Sequence, residues 1–476
     1  MKYNLLITRK LLVNTLIITS LLISCKEDEN PINTGEIDFS NYVAVGNSLT
    51  AGYSDGGLYR EVQSNSYPSI FATQIGTTIT QPLMPPGNGS GYVYLTSYVD
   101  GIPGINFLQE DPAAFNKVSG TFHNLGIPGI RIKDVDMKDY GLEVNNPYFY
   151  RILPQGSEAN SSYLDLLKER NPTFFTCWLG NNDILGYATG GGADGIEGNG
   201  QYGLGGLTEP SLFESNYQQV IDELTKNNAK GVVITIPDIS LIPFFNLVSN
   251  DNFPSLSENL ANELEEIYSE INEKIEEYNN EIASNPDLSD GEKQELTREM
   301  ISFSVSGNNA FVIVDNDLPD INKNDSEGNP IPRIRHLTDD DRITLNGVLE
   351  LTDVSKLSGI VEPLNDEYAL TTSELQIIEE YRIIYNDIIR DIVNSPGIAI
   401  IEANDILGQF VSGKTIDGEL ITTQFIEGGL FSIDGVHLTA RGYAIVANEI
   451  IKAINQKFSA QIPLANISQY NAVNIP

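Results

Sequence analysis

Cysteine, histidine and positive charge are what this chain of 476 residues has least of. Its 28 bases stand against 65 acids, a formal net charge of −37. Nucleic acid is excluded as a partner, because phosphate binding needs a basic surface. Only Cys25 and Cys177 are present, so no disulfide framework holds the fold. Cys177 lies in the apolar run Phe174-Phe175-Thr176-Cys177-Trp178-Leu179 and reads as a buried, inert thiol. No internal repeat is evident. The glycine-rich stretch from Gly186 to Gly206 lacks the Gly-Lys-Ser/Thr ending of a phosphate-cradling loop, so nucleotide binding is excluded as well. With three histidines in the chain, the choice of an imidazole base is narrow.

The one long apolar run near the start, Leu11–Ile23, is too short for a stable membrane span. It follows Lys2, Arg9 and Lys10 and ends in Leu22-Ile23-Ser24-Cys25. That pattern reads as a signal peptide over residues 1–24 and resembles a bacterial lipobox, whose cysteine is acylated. Cys25 is therefore the expected lipidation site, and two or three acyl chains supply an anchor that a single chain cannot. The acidic Lys26-Glu27-Asp28-Glu29 resembles the surface-export signal of some Gram-negative lipoproteins. The expectation is a protein held in the outer membrane of the cell envelope by a lipid anchor, with residues 25–38 as a polar tether.

Beyond the tether, continuous apolar runs mark buried strands: Asn41–Val45, Phe122–Leu125, Phe174–Leu179, Gly231–Ile236 and Gly397–Ile401. Such runs suit a parallel sheet covered on both faces. Helical spacing appears over Phe213–Asn227, Ser373–Val393 and Ala440–Phe458. Alternating strands and helices predict an α/β fold, a three-layer α/β/α sandwich around a parallel sheet. One domain is expected over residues 39–460, with insertions at about 76–120, 186–208 and 240–370 and a tail at 461–476. The last insertion opens with an acidic helical stretch, Ser255–Ser284.

Four short blocks carry chemistry. Ser48 follows the first strand in Gly46-Asn47-Ser48-Leu49-Thr50, where its hydroxyl projects at the carboxyl edge of the sheet. Gly126, in Asn124-Leu125-Gly126-Ile127-Pro128-Gly129, lets a backbone N–H approach a substrate oxygen with no Cβ in the way. Asn182, in Gly180-Asn181-Asn182-Asp183, offers an amide that donates to a developing oxyanion and does not ionise. Asp434 precedes His437 by three residues, across a turn at Gly435, so the carboxylate can fold back onto Nδ1 and leave Nε2 for Ser48. Taken singly each has a plainer reading: a helix cap, a turn glycine, loop asparagines, a turn aspartate. His123 reads as a polar residue satisfied at a strand end, and His336 as a surface residue.

In this order the four blocks resemble the SGNH/GDSL hydrolase superfamily. The resemblance covers roughly residues 38–75, 119–240 and 372–458. It implies a flavodoxin-like sheet of about five strands. It implies Ser48 as nucleophile, Ser48 N–H, Gly126 N–H and Asn182 as the oxyanion hole, and Asp434 and His437 as the rest of a triad. One departure is Asn47, where that superfamily has aspartate.

The expected activity is serine-dependent hydrolysis of carboxylic esters through an acyl-enzyme, on lipid or acetylated glycan substrates, with no metal and no cofactor. The rival expectation is a catalytically weak surface lipoprotein that binds glycan or lipid on the same fold. Tyr53, Tyr59, Tyr92, Tyr94, Tyr187 and Tyr202 could stack on sugars or line an acyl groove, or pack their own loops. Asp315, Asp317, Asp320, Asn322 and Asn324 are spaced unlike an EF-hand loop and read as solvated turn residues.

Overall fold

Residues 32–99, 102–142, 144–192, 206–352 and 356–476 are described by the computed structural model. The signal peptide, Cys25, most of the tether, Tyr202 and residues 193–205 of the glycine-rich stretch lie outside them.

The five apolar runs form five strands: β1 (Tyr42–Gly46), β2 (Asn124–Gly126), β3 (Phe174–Trp178), β4 (Lys230–Ile234) and β5 (Ile398–Ile401). They make one sheet in the order β2-β1-β3-β4-β5, and every neighbouring pair is parallel. Each begins or ends within two residues of the sequence expectation. The strands β1, β2 and β3 are buried along their whole length, which is why their sequences show no polar alternation. On the edge strand β5, Ile400 is exposed. Phe174 and Phe175 are fully buried in β3; truncating either to alanine costs about 3–5 kcal/mol. Cys177 is buried in the same strand, and burial pushes its thiol up to about 12, so it stays protonated and unreactive.

The main helices are α1 (Ser48–Ala51), α2 (Tyr67–Gln74), α3 (Asn182–Thr189), α4 (Pro210–Thr225), α5 (Glu258–Ser284), α6 (Thr372–Ile392) and α7 (Ala440–Phe458). Helix α2 packs against α7, and α4 against α6, so helices cover the sheet. Their starts are written locally. Pro210 opens α4, where its missing N–H costs nothing. Thr371 and Glu374 form a capping box on α6, and the Thr439 hydroxyl accepts from Gly442 N–H at the head of α7.

Between β4 and β5, residues 256–369 build a second hydrophobic core around Leu264, Tyr268, Phe303, Phe311, Val312 and Ile334. Helix α5 lies along it, beside an antiparallel pair, Val312–Val314 with Ile334–His336. Arg335 holds it from the side by ion pairs to Asp315 and Asp341. His336, expected at the surface, is half-buried and packed. Its Nε2 accepts from Ser302 N–H at 3.1 Å, and its ring meets Phe303 edge-on. Within residues 76–120, Tyr92–Val99 pairs with Ile102–Leu108 as an antiparallel hairpin.

Both ends of the described chain depart from the sequence reading. Residues 33–37, expected as tether, dock on the domain: Asn33 bridges Gln461, Glu36 N–H donates to the Phe458 carbonyl, and Ile37 is buried. The expected tail is docked as well, with Asn448 bonded to both backbone groups of Ala465 and Ile462 and Ile467 buried. Residues 33–37 meet partners at the far end of the chain, whereas the tail folds back on the helix before it.

Candidate active site

The order β2-β1-β3 places a topological switch point between β1 and β3, where the connections leave in opposite directions and a crevice opens beyond the carboxyl ends. Register makes those ends level, with Gly46 opposite both Gly126 and Trp178. The segments after β1 and β3 therefore face each other across the crevice.

Ser48 is the first residue of α1. Asn47 caps this single turn, its Oδ1 accepting from Leu49 N–H at 3.0 Å, so the amide serves as an acceptor where an aspartate would. The turn rests on the end of β2. A Cβ added at Gly126 would come within 2.2 Å of the Ala51 nitrogen, and Asn124 Nδ2 donates to the Thr50 carbonyl at 3.0 Å. Ser48 is 7% exposed, and its N–H has no hydrogen-bond partner among the described residues.

The segment before α7 delivers the imidazole from the far end of the chain. Ser432 N–H donates to the His437 carbonyl, and Gly435 N–H to the Ser432 carbonyl, which closes a tight loop. Gly435 has φ +71°, the left-handed region that glycine occupies without strain. Within this loop Asp434 Oδ1 accepts from the N–H groups of Val436 (2.9 Å) and His437 (2.7 Å). Its Oδ2 accepts from Gly56 N–H (2.7 Å) and meets His437 Nδ1 at 3.0 Å. Burial pushes this carboxyl up, but His437 and the backbone donors outweigh it and hold it well below the usual carboxylate range. An ionised carboxylate can only accept, so Nδ1 carries the proton and Nε2 is free to accept. That Nε2 lies 2.8 Å from Ser48 Oγ. The Tyr53 ring covers the imidazole at 4.5 Å.

The turn carrying Tyr53 and Gly56 is tied to the histidine loop. Asp55 N–H donates to Ser432 Oγ, and Ile433 N–H donates to Asp55 Oδ1. The Tyr59 hydroxyl donates to Asp55 Oδ2 and its ring stacks on Tyr92 at 4.1 Å. Tyr53, Tyr59 and Tyr92 pack around this turn, whereas Gly56 escaped the sequence reading because a backbone donor leaves no side-chain trace.

Across the crevice Asn182 opens α3, and its Nδ2 donates one hydrogen to the Ile130 carbonyl at 2.9 Å. Its neighbour Asp183 is fully buried. It accepts from Ile132 N–H (2.8 Å) and the Thr208 hydroxyl (2.5 Å), yet burial pushes it up to about 7. The expected role of Gly126 is not supported: its N–H donates to Asn124 Oδ1 at 3.0 Å, and its missing Cβ serves the close contact with α1. Gly129, three residues on and beside the carbonyl that receives Asn182, has φ +82°. Its N–H has no partner among the described residues.

Ser48 and His437 line a cavity of about 60 Å³ together with Asn181 and Asn182. Asn47 apart, the rest of its wall is apolar, with Leu49, Trp178, Leu185, Ile236, Leu407 and Phe431 among the lining residues. Among the described residues no cluster of His, Cys, Asp and Glu is arranged to hold a metal ion, and no helix is long and apolar enough to cross a membrane. The remaining histidine, His123, ends at Thr80 Oγ1 (2.6 Å), away from this site.

No curated protein and no solved structure matches the chain. A family model does match, over residues 42–450, and it spans β1, the crevice and α7 together. The parallel five-stranded sheet, with a serine after its first strand and a histidine before its last helix, is thus the body of a GDSL-like lipase/acylhydrolase, the family to which this chain belongs.

Proposed function

We propose that the protein is a serine carboxylic ester hydrolase working through an acyl-enzyme. The observation that carries this is the unbroken relay from Asp434 through His437 to Ser48, with contacts of 3.0 and 2.8 Å, opening on an apolar cavity. In this reading Ser48 Oγ attacks the acyl carbon as its proton passes to His437 Nε2. The imidazolium that forms is held by Asp434. The tetrahedral oxyanion takes hydrogen bonds from Ser48 N–H and the second amide hydrogen of Asn182, with Gly129 N–H as the third donor in place of Gly126. His437 then gives its proton to the departing alcohol. Water, deprotonated by the same nitrogen, attacks the acyl-serine, releases the acid and restores the hydroxyl.

The substrates in this proposal are esters of lipids or of acylated glycans. The protein reaches them from a lipid anchor on Cys25 in the outer membrane, a part of the proposal that rests on the leader sequence alone.

The test is Ser48→Ala. Hydrolysis of p-nitrophenyl butyrate should fall by about 10⁵-fold or more, and labelling by a fluorophosphonate probe should vanish. A variant that turns over the ester as fast as the parent would defeat the assignment.

A further inference from the structure

The cavity beside Ser48 contains a polar group that the relay does not use. Asn181 is 8% exposed and lines the cavity, yet neither its Nδ2 nor its Oδ1 has a hydrogen-bond partner among the described residues. Its polar neighbours in the wall are committed. Asn47 Oδ1 caps α1, Asn182 Nδ2 holds the Ile130 carbonyl, and Ser48 and His437 hold each other. Leaving a buried amide unsatisfied is destabilising, and an apolar side chain of the same shape would avoid that cost. The amide therefore reads as half of a recognition contact.

We propose that this cavity is an acyl pocket for a short chain bearing a hydroxyl group, which the Asn181 carboxamide receives. The inference rests on the ester hydrolase reading above and names its substrate class. Three features select the ligand. No Asp, Glu, Lys or Arg lines the cavity, so a charged acyl chain would be buried without a counter-charge, at a prohibitive cost. Asn181 offers a free donor and a free acceptor together. A hydroxyl can accept from Nδ2 and donate to Oδ1, whereas a carbonyl satisfies only the donor. Size sets the length. A water-sized group takes roughly 30 Å³ of liquid volume, so a cavity of about 60 Å³ takes about two such groups, which sets a short acyl chain. Longer chains meet the aliphatic wall.

The test compares phenyl esters of butyric, 3-hydroxybutyric and decanoic acids on the parent, Asn181→Leu and Asn181→Ser proteins, with Ser48→Ala as background. The parent should prefer the hydroxybutyryl over the butyryl ester by about tenfold or more in kcat/KM, because a site built for a hydroxyl discriminates against its absence. Asn181→Leu should reverse that preference and Asn181→Ser should keep part of it. The decanoyl ester should be the poorest of the three. Asn181→Leu should also melt at or above the parent, since it removes an unpaired buried amide. An unchanged hydroxybutyryl-to-butyryl ratio in Asn181→Leu, or a melting temperature several degrees lower, would overturn the role of Asn181. A preference for the decanoyl ester would overturn the size limit. In all these cases Ser48-dependent turnover persists, so the hydrolase reading survives; loss of all ester turnover and of fluorophosphonate labelling in the parent would remove both.

Discussion

Two carboxylates flank the crevice, and burial treats them in opposite ways. Asp434, on the histidine side, has four donors within 3.0 Å, three of them backbone N–H groups and one the imidazole. Asp183, on the amide side, has Ile132 N–H and the Thr208 hydroxyl, with Asp134 pushing the same way as burial. The first is held ionised and the second is pushed up to about 7. The number and kind of donors, not depth alone, decide which carboxylate keeps its charge. The difference suits two tasks. In the proposed mechanism one steadies an imidazolium during turnover; the other need only fasten Asn182 and the 131–134 segment in place.

Breaking the first side should have the larger effect. Asp434→Asn keeps the shape but lets the imidazole take the wrong tautomer. Turnover of p-nitrophenyl butyrate should fall by about 10³–10⁴-fold with little change in KM; a loss below tenfold would mean that Asp434 only shapes its loop. Asn182→Ala removes an oxyanion donor and should lower kcat by about 10²–10³-fold, measured on the same ester. The smallest effect belongs to Asp183→Asn and is read in stability. A carboxyl raised in the folded state binds its proton more tightly than in the unfolded chain. The parent therefore loses stability as pH rises from about 4 to about 7, and the asparagine variant does not share that loss. Thermal melts at pH 4, 6 and 8 should show the variant gaining on the parent step by step. A pH-independent difference between the two would place the Asp183 carboxyl in the ordinary range.

The same two sides explain what was legible in the sequence. The strands could be read because each is short and apolar, and β1, β2 and β3 are buried on both faces, so pattern and environment coincide. The segment Ala440–Phe458 could be read from its spacing. Ser48, Asp434 and His437 stood out because few residue types do their chemistry and the chain has only three histidines. Gly126 misled because a glycine looks alike whether its N–H faces a ligand or its missing Cβ makes room for a neighbour. Asn181 and Asn182 are adjacent and identical in type; only the backbone direction at the head of α3 separates an amide committed to Ile130 from one left open. The docking of residues 33–37 depends on Gln461 and Phe458, contacts that no local pattern encodes.

The hydroxyl and the ring nitrogen that meet at 2.8 Å are contributed by positions 48 and 437. Nearly the whole polypeptide must therefore be made, and must have collapsed around its central sheet, before the two can touch. A nascent chain halted anywhere short of the final helix carries the alcohol without its activator. In the proposed mechanism, reactivity toward esters is in this way withheld from incomplete chains, and catalysis doubles as a readout of an intact tertiary structure.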